Sequence, residues 1–343
     1  MRRSMGWLAA ALLAADMAGC GAPSAPALHR VDAERLAMGS LLHLTAFAAD
    51  EAAARRAFEQ VFAEFDRLDS LLSVWRDGSD VVRLNAAAGQ GAVPVHPETR
   101  EVLHAAERVS EWTDGKFDVT FGALAEIWKF DHDQDDRVPS AAEIAARLPR
   151  VDHMAVTVDD GAGTAAIARP GVRVHLGGIG KGLAVDRAAA LLRAAGITDF
   201  LIQAGGDLYV GGAADDGPWR LGIQDPRGPA GSSFATLELT DATFSTSGDY
   251  ERFFIHDGVR YHHILDPDTG QPARASRSVT IVSPQALLAD ALSTGVFILG
   301  PEKGMALVER LPGVEAVIVG ADNRVSVSSG LRGRLRMTGA LTP

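Results

Sequence analysis

Three oxygen-bearing side chains near the end of the chain have the spacing of a cation site. Asp290, Ser293 and Thr294 stand at positions i, i+3 and i+4, so on a helix they lie on one face. A carboxylate and two hydroxyl groups suit a hard cation such as Mg²⁺. The same residues are also suited to capping a helix, since a carboxylate is favourable in the first helical turn. The spacing therefore leaves two interpretations open, a metal site and an ordinary helix start.

A pair of histidines precedes this triad. His262 and His263 stand just before the run Asp266-Pro-Asp-Thr-Gly, which is typical of a turn. If the histidines lie on a strand, their side chains point to opposite faces, so at most one of them serves a given site. His263, nearer the turn, is the candidate, because a neutral histidine near pH 7 can accept a hydroxyl proton. The alternative is that both are ordinary surface or core residues.

A glycine-rich run from residue 172 to residue 182 leads from apolar residues into a helix predicted to begin at Leu183. Such a junction directs backbone N–H groups and the positive end of the helix at an anion. It is not a Walker loop, because His175 stands where the first glycine is required. A tight strand-to-helix turn is the alternative. Lys181 favours the anion site, since a cation at a helix start is unfavourable without an anion nearby.

Two other polar runs have weaker functional interpretations. Ala204-Gly-Gly-Asp207 follows an apolar run, and we interpret it as a structural turn. Asp131-His-Asp-Gln-Asp-Asp resembles the start of a calcium loop. However, Asp136 stands where that loop requires glycine, and Ala142 where it requires glutamate. A solvated acidic loop is therefore predicted.

Composition excludes several classes of protein. The chain has 343 residues, 47% of them hydrophobic, and a formal net charge of −11. Non-specific binding to nucleic acid is therefore not expected, because it depends on basic patches facing phosphates. Such a hydrophobic content also argues against a largely disordered chain. Cys20 is the only cysteine, which excludes an internal disulfide and a cysteine metal cluster.

The N-terminus has the pattern of an export signal. Two arginines, Arg2 and Arg3, precede a short apolar stretch at residues 7–15, which is too short to span a bilayer. The following Met17-Ala-Gly-Cys20 resembles a bacterial lipoprotein signal, in which the cysteine is lipidated. We therefore predict a signal peptide at residues 1–19, lipidation at Cys20, a tether at 20–34 and a folded domain at 35–343. An ordinary signal peptide is the alternative.

The periodicity of apolar residues predicts the elements that position these groups. Helices are predicted at residues 50–72, 99–112, 140–148, 183–195, 287–299 and 302–310. Strands are predicted at residues 153–159, 165–168, 172–176, 200–203, 219–224, 234–239, 243–246, 252–256, 279–282, 314–319 and 325–328. The two types are interleaved without a regular βα alternation. This order predicts a single α+β domain with mixed sheets flanked by helices.

Eight short motifs occur in the order in which one family has them. They are Met38-Gly-Ser, Leu68-Asp-Ser-Leu-Leu-Ser-Val-Trp75, Gly115-Lys-Phe-Asp-Val-Thr-Phe-Gly, Leu176-Gly-Gly-Ile-Gly-Lys-Gly, Gln203-Ala-Gly-Gly-Asp, Thr246-Ser-Gly-Asp-Tyr, His263-Ile-Leu-Asp-Pro-Asp-Thr-Gly and Ala289-Asp-Ala-Leu-Ser-Thr. With them, nearly the whole of the mature chain resembles the ApbE family of FAD:protein FMN transferases.

The resemblance implies an ApbE-like domain that binds FAD in a cleft, with Mg²⁺ on its pyrophosphate. The residues implied to contact FAD are Met38, Trp75, Lys116, Phe117, Asp118, His175, Lys181 and Leu265. The implied metal ligands are the backbone carbonyl of Gly178 and the side chains of Asp290, Ser293 and Thr294.

The reaction that the resemblance implies is transfer of FMN from FAD to a threonine or serine hydroxyl of an acceptor protein, with release of AMP. His263 would be the base. The implied acceptors are flavoprotein subunits of membrane redox complexes or other extracytoplasmic flavoproteins. The implied location is the periplasmic side of the bacterial inner membrane. Two alternatives are a Mg²⁺-dependent FAD pyrophosphatase that yields FMN and AMP, and a non-catalytic periplasmic flavin-binding lipoprotein.

Overall fold

The computed structural model of the chain describes residues 27–215 and 217–343. The predicted signal peptide at residues 1–19 and the lipidation site Cys20 lie outside the described residues. The helices are α1 Glu51–Leu72, α2 Asp80–Ala86, α3 Pro97–Trp112, α4 Gly122–Ala125, α5 Ala141–Arg147, α6 Gly180–Ala194 and α7 Ala286–Val308. In the described part of the chain, no helix is both long enough and apolar enough to cross a membrane.

The strands belong to one large sheet and four small ones. They are β1 His29–Ala37, β2 Ser40–Ala48, β3 Ala92–Pro94, β4 Val156–Asp159, β5 Thr164–Ile167, β6 Asp199–Ala204, β7 Asp207–Gly211, β8 Trp219–Gln224, β9 Ser233–Leu239, β10 Ala242–Gly248, β11 Phe253–His256, β12 Val259–His262, β13 Leu265–Asp266, β14 Gln271–Pro272, β15 Ser276–Ser283, β16 Glu315–Gly320, β17 Val325–Val327 and β18 Arg336–Met337. The eight strands of the large sheet have the order β1-β2-β6-β7-β10-β15-β16-β17. All the ladders between these strands are antiparallel. The predicted α+β fold is confirmed.

Helices α1, α6 and α7 cover the large sheet and close the main core. Helix α7 packs on β15, β10 and β16, while α1 packs on α6 and β1. The apolar side chains of α1 recur every three or four residues, so Phe58 and Phe65 are fully buried. The helix begins after Asp50, whose side chain accepts a hydrogen bond from the Ala53 backbone at 3.0 Å. This start is the one predicted from the sequence.

Helices α6 and α7 are joined at their N-terminal ends by two side chains. The Asp186 carboxylate of α6 accepts hydrogen bonds from the backbone N–H groups of Ala286 at 2.8 Å and Leu287 at 2.9 Å. The Asp290 carboxylate of α7 accepts one from the N–H of Gly182 in α6 at 2.9 Å. Each helix therefore supplies an acceptor for N–H groups that have no partner within the other helix.

The structure differs from the sequence prediction at the start of the fold. Residues 20–34 were predicted to be a tether, but β1 begins at His29. All nine residues of β1 pair with β2, which satisfies backbone groups that a tether would leave to water. Charged side chains of β1 such as Asp32 and Glu34 are exposed on this edge strand, where charge is common.

The strand predicted at residues 172–176 is also wrong, because only one isolated bridge forms there, between Arg173 and Phe121. The Asn85 side chain takes the place of a neighbouring strand. Its amide nitrogen donates to the Val174 carbonyl at 2.8 Å, and its amide oxygen accepts from the Val174 N–H at 2.7 Å. An apolar run is thus held extended by a side chain that is distant in sequence.

Substituting alanine for Gly182 should destabilise the fold, because α6 and α7 approach each other at this residue. A Cβ atom there would lie 2.3 Å from the Ala286 carbonyl oxygen and 2.8 Å from the Leu287 Cα. Since both neighbours are backbone atoms, we expect Gly182→Ala to lower the free energy of unfolding by about 1–3 kcal/mol. Chemical denaturation measures this change. Gly339→Ala is the control, because no atom lies within 4 Å of its added Cβ, and its midpoint should stay close to that of the wild type.

Candidate active site

A cavity of about 710 Å³ opens where the N-terminal ends of α6 and α7 meet β10 and the turn after β12. The predicted site residues that line it are Met38, Trp75, Lys116, Phe117, Asp118, His175, Gly178, Lys181, His263, Leu265, Asp290 and Thr294. Residues far apart in the sequence are thus brought to one place. Of the predicted FAD and metal residues, Ser293 is the one that does not line the cavity.

Asp290 is a buried acid of the cavity wall that lies near a second buried acid, Asp207. Its side chain is 4% exposed, and its Oδ2 accepts from Gly182. Burial, and next the charge of Asp207, raise the pKa of Asp290 to about 7. Burial and a neighbouring acid disfavour the charged carboxylate, and a cation bound beside it would favour that form. The site is therefore suited to a bound cation.

Lys181 is the resident positive charge of this group. Its Nζ lies 3.1 Å from Asp207 Oδ2 and 3.4 Å from the Gly177 carbonyl. Burial alone would lower the pKa of Lys181, but the Asp207 and Asp290 carboxylates outweigh it and raise the pKa. The ammonium group is therefore charged at neutral pH. The Arg252 guanidinium also acts on Asp290, but it is paired with Asp131. Asp207 and Asp290 can therefore accommodate another positive charge beside Lys181.

The other predicted metal ligands divide into two groups. Thr294 lines the cavity near Gly178, because a Cβ built on Gly178 would lie 3.6 Å from Thr294 Oγ1. By contrast, the Ser293 hydroxyl donates to the Asp290 carbonyl at 2.8 Å and lies 2.7 Å from Ser247 Oγ. This geometry gives no support to Ser293 as a ligand.

The donors at this end of the cavity fit Mg²⁺. Among the described residues, no group of three or more His, Cys, Asp or Glu side chains forms a metal cluster. Mg²⁺ does not need one, since it is usually held by one or two carboxylates together with water and substrate phosphates. Asp290, the Thr294 hydroxyl and the backbone of Gly178 offer oxygen donors of that kind.

His263 lies on the cavity wall as a neutral base. Burial, then the charge of Arg252, and then His262 lower its pKa well below the usual value. Its Nδ1 lies 3.3 Å from the Arg252 carbonyl oxygen. Because a carbonyl only accepts, we assign the proton to Nδ1, which leaves Nε2 as the acceptor. His262, the last residue of β12, is buried away from the cavity, and its Nε2 donates to the Ala273 carbonyl at 2.8 Å.

Aromatic and charged side chains form the rim. Trp75 is 54% exposed and meets the His132 ring edge-on, with centroids 4.5 Å apart. Phe117 is buried beside Gly178. Lys116 is held by Asp266 and Asp268, each with an oxygen 2.7 Å from its Nζ. An exposed ring and a buried ring on the same cavity suit a planar ligand.

Asp118 and His175 line the cavity, but internal hydrogen bonds occupy them. Asp118 accepts from the Thr120 hydroxyl and backbone at 2.6 and 2.7 Å and from the His153 backbone at 3.0 Å. Burial raises its pKa. The His175 Nδ1 accepts from the Gly177 N–H at 3.1 Å, and burial lowers its pKa to about 4. Both residues shape the wall, and their contact with FAD stays a prediction.

Sequence reasoning missed three residues of the site. Asp207 was interpreted as part of a structural turn, but it pairs with Lys181. Ser247 lies 3.3 Å from Thr294 Oγ1, and Arg252 pairs with Asp131 across the cavity. The Gly-Gly-Asp run was a usable signal for Asp207. Ser247 and Arg252 could be assigned to the site only from the packing of β10 and the segment after it.

Comparison with known proteins identifies the family. The ApbE family model matches residues 38–318, which is more than half of the chain. The chain belongs to the ApbE family. The ApbE protein of Thermotoga maritima has the same fold, with a TM-score of 0.82 and 33% identity over 89% of this chain and 99% of that one. The flavin transferase ApbE of Vibrio cholerae has a TM-score of 0.79 and 28% identity, over 90% and 99% of the two chains.

Curated ApbE relatives cover almost the same length. A protein of Treponema pallidum named FAD:protein FMN transferase is 36% identical over 89% of this chain and 88% of its own length. A Klebsiella pneumoniae protein of the same name is 34% identical over 89% of this chain and 90% of its own. The resemblance inferred from the motifs is thereby confirmed.

Proposed function

We propose that this protein is a transferase that moves FMN from FAD to a hydroxyl group of an acceptor protein and releases AMP. The observation that carries the proposal is the buried Asp290 carboxylate, held at the start of α6 beside Lys181 and facing the same cavity as the neutral His263. The names of the Treponema and Klebsiella relatives support it.

The residues that would hold the reactants follow from the cavity. Asp290, Thr294 and the Gly178 carbonyl would hold Mg²⁺, which would neutralise charge on the FAD pyrophosphate. Lys181 would add a fixed positive charge at the same phosphates, at the N-terminal end of α6. Trp75 and Phe117 would flank the isoalloxazine ring. Ser293 stays a predicted ligand without support from its position.

The chemical step is a displacement at phosphorus. The acceptor hydroxyl oxygen forms a bond to the phosphorus on the FMN side, and the bond from that phosphorus to the bridging oxygen breaks. AMP leaves with the electron pair. His263 Nε2 takes the hydroxyl proton, and the Arg252 carbonyl keeps the ring oriented through Nδ1. Positioning and charge stabilisation carry most of such a reaction.

Mass spectrometry of a candidate acceptor co-expressed with this chain tests the proposal. We expect the acceptor to gain the mass of one FMN on a single threonine or serine, and AMP to appear in equal amount in a purified reaction. An acceptor that stays unmodified in the presence of FAD and Mg²⁺ would count against transfer.

The two alternatives predict different results without an acceptor. A pyrophosphatase would release AMP rapidly from FAD and Mg²⁺ alone, whereas a transferase would release little until the acceptor is added. A non-catalytic flavin-binding protein would bind FAD in a fixed ratio and release no AMP in either case. A single assay with and without acceptor therefore separates all three.

Removing the exposed indole of the rim should weaken FAD binding. Trp75 is 54% exposed on the cavity wall, and an aromatic pair contributes about 0.5–1.5 kcal/mol beyond its buried area. We therefore expect Trp75→Ala to raise the Kd for FAD by about tenfold, as measured by calorimetry. Met154→Ala is the control, since Met154 is 75% exposed and lies outside the cavity. Equal affinities for the two variants would contradict a stacking role for Trp75.

We also propose that Cys20 is lipidated and anchors the enzyme on the periplasmic side of the inner membrane. The signal-like residues before Cys20 support this proposal. Cys20→Ala should move the protein from the membrane fraction to the soluble fraction and abolish labelling with palmitate. A variant that stays in the membrane fraction would contradict it.

A further inference from the structure

Three hydroxyl groups form a chain between the cavity wall and the backbone of α7. Thr294 Oγ1, on the cavity wall, lies 3.3 Å from Ser247 Oγ of β10. Ser247 Oγ lies 2.7 Å from Ser293 Oγ, and the Ser293 hydroxyl donates to the Asp290 carbonyl at 2.8 Å. We call Thr294, Ser247 and Ser293 the hydroxyl chain. It ends at the backbone of the residue whose carboxylate is the charged ligand of the proposed metal site.

The direction of each hydrogen bond in the hydroxyl chain follows from counting protons. A serine or threonine hydroxyl has one proton to donate and two lone pairs. The Asp290 carbonyl can only accept, so the Ser293 proton lies on that bond. Ser247 is then the donor to Ser293. Because the Ser247 proton is thereby in use, Thr294 is the donor to Ser247.

This direction leaves the lone pairs of Thr294 Oγ1 for the cavity. A threonine on a helix can donate instead to the carbonyl three or four residues earlier. For Thr294 the residue four positions earlier is Asp290, whose carbonyl accepts from Ser293. The Thr294 proton is therefore directed at Ser247, and the oxygen of Thr294 lies near Gly178, whose carbonyl is another proposed ligand. A cation is bound by lone pairs and not by the proton, so this orientation suits a ligand.

The middle of the hydroxyl chain belongs to a well-held strand. Ser247 lies opposite Val279 in the ladder between β10 and β15. The backbone N–H of Thr246, the residue before it, donates to the Gly206 carbonyl at 2.9 Å. Ser293 is buried where α7 packs on β10. The acceptor for the Thr294 proton is thus in place before any cation binds.

We propose that Ser247 is a positioning residue that accepts the proton of the Thr294 hydroxyl and so presents Thr294 Oγ1 to Mg²⁺ as an acceptor. This proposal rests on the metal site of the function proposed above. Ser293 has a lesser part, because it takes the Ser247 proton. Without Ser293, the Ser247 oxygen can still accept from Thr294.

Calorimetric titration of the FAD-bound full chain with Mg²⁺, without an acceptor, tests the proposal. Removing the outer partner of a metal ligand usually lowers metal affinity by about 10–100-fold, so we expect Ser247→Ala to raise the Kd for Mg²⁺ at least about tenfold. Ser245→Ala is the matched control. Ser245 lies two residues earlier on β10, and its buried hydroxyl has no hydrogen-bond partner among the described residues. An unchanged Kd in Ser247→Ala, or an equal rise in both variants, would overturn the proposal.

A double-mutant cycle shows whether Ser247 acts through Thr294. Thr294→Val removes the hydroxyl that Ser247 is proposed to orient. Adding Ser247→Ala to that variant should therefore change the Kd for Mg²⁺ by less than about twofold. A second large loss in the double variant would mean that Ser247 acts by another route, which contradicts the proposal.

A second substitution covers the case in which Ser247→Ala does not fold. Ser247→Cys keeps a side chain of similar shape, but a thiol is only a weak acceptor. The Kd for Mg²⁺ should therefore rise in this variant too. Wild-type affinity in Ser247→Cys would count against a hydrogen bond from Thr294.

The Mg²⁺ dependence of transfer separates this proposal from the transferase function. In Ser247→Ala, the Mg²⁺ concentration that gives half the maximal rate should rise, while the rate at saturating Mg²⁺ should change by less than about threefold. Weakened Mg²⁺ binding in a chain that transfers FMN to no acceptor would reject the transfer activity and retain the role of Ser247. Transfer with an unchanged Mg²⁺ dependence would reject that role and retain the activity. A wild-type chain that binds no Mg²⁺ would reject both.

Discussion

Replacing Asp290 by asparagine should lower the rate of FMN transfer by roughly 10²–10³-fold, because the Mg²⁺ proposed to neutralise the pyrophosphate would lose its only charged protein ligand. Asparagine keeps the shape of the side chain and an oxygen to accept from the Gly182 N–H. The fold should therefore persist, and a loss of activity would reflect the missing charge. Activity is measured as FMN attached to the acceptor, and Mg²⁺ affinity by calorimetry.

Ser293→Ala is the matched comparison for Asp290→Asn. The Ser293 hydroxyl faces the Asp290 carbonyl and Ser247 instead of the cavity, so we expect its removal to change the transfer rate by less than about threefold. Thr294→Val should lower the transfer rate more than Ser293→Ala does, since Thr294 lines the cavity. A large loss with Ser293→Ala and none with Asp290→Asn would contradict the assignment of the metal ligands.

The raised pKa of Asp290 gives this site a pH dependence. In the metal-free protein the carboxylate becomes protonated as the pH falls through about 7, so Mg²⁺ affinity should fall with it. The folded state binds this proton more tightly than the unfolded state. The free energy of unfolding without metal should therefore decrease as the pH rises from about 4 to about 7. Asp290→Asn should lack that component.

Replacing His263 by glutamine should lower the rate of transfer by about 10²–10⁴-fold, the usual contribution of a general base. FAD binding should change little, because the proton transfer occurs only in the chemical step. The reaction is measured under single-turnover conditions, and added imidazole should restore part of the rate. His104→Gln is a control, since His104 lies on α3 outside the cavity.

The pH profile gives a second readout of His263. Its pKa lies well below the usual value, because of burial and the neighbouring Arg252, so the base is neutral through the physiological range. The acid limb of kcat/KM that is due to His263 should therefore lie below pH 6.5. The comparison is made with Mg²⁺ saturating at every pH, so that protonation of Asp290 does not limit the rate. An acid limb that is then identical in the wild type and in His263→Gln would exclude His263 as the base.

Much of the cavity could be predicted because its residues belong to short motifs in which the spacing alone indicates which side chains lie together. The i, i+3, i+4 spacing predicted that Asp290 and Thr294 share one face of a helix, and both line the cavity from α7. Side-chain alternation on a strand predicted that at most one of the two histidines serves the site. His263 lines the cavity, although it stands just beyond the end of β12, and His262 is buried against Ala273. The roles of these residues stay predictions. Local patterns of this kind survive folding because neighbouring residues on one helix or strand keep a fixed relation to each other.

The remaining features depend on partners that are distant in the sequence. The apolar run at residues 172–176 predicts a strand, but the backbone N–H and carbonyl of Val174 form their hydrogen bonds with the Asn85 side chain. Ser293 shares a helical face with its neighbours, yet Ser247 of β10 draws its hydroxyl away from the cavity. The sequence around Asp207 indicates a turn residue, and only the fold shows that Asp207 pairs with Lys181. None of these contacts can be read from periodicity or from local propensity.

The exchange of acceptors between the ends of α6 and α7 has a consequence for how the protein opens. Asp186 of α6 accepts hydrogen bonds from the first backbone N–H groups of α7, and Asp290 of α7 accepts one from the Gly182 N–H of α6. Fraying of one helix end therefore removes hydrogen bonds from the other. The two ends should therefore open as one cooperative unit, with a shared opening free energy in hydrogen exchange. Saturating FAD and Mg²⁺ should slow exchange at Gly182, Ala286 and Leu287 together, by a common factor.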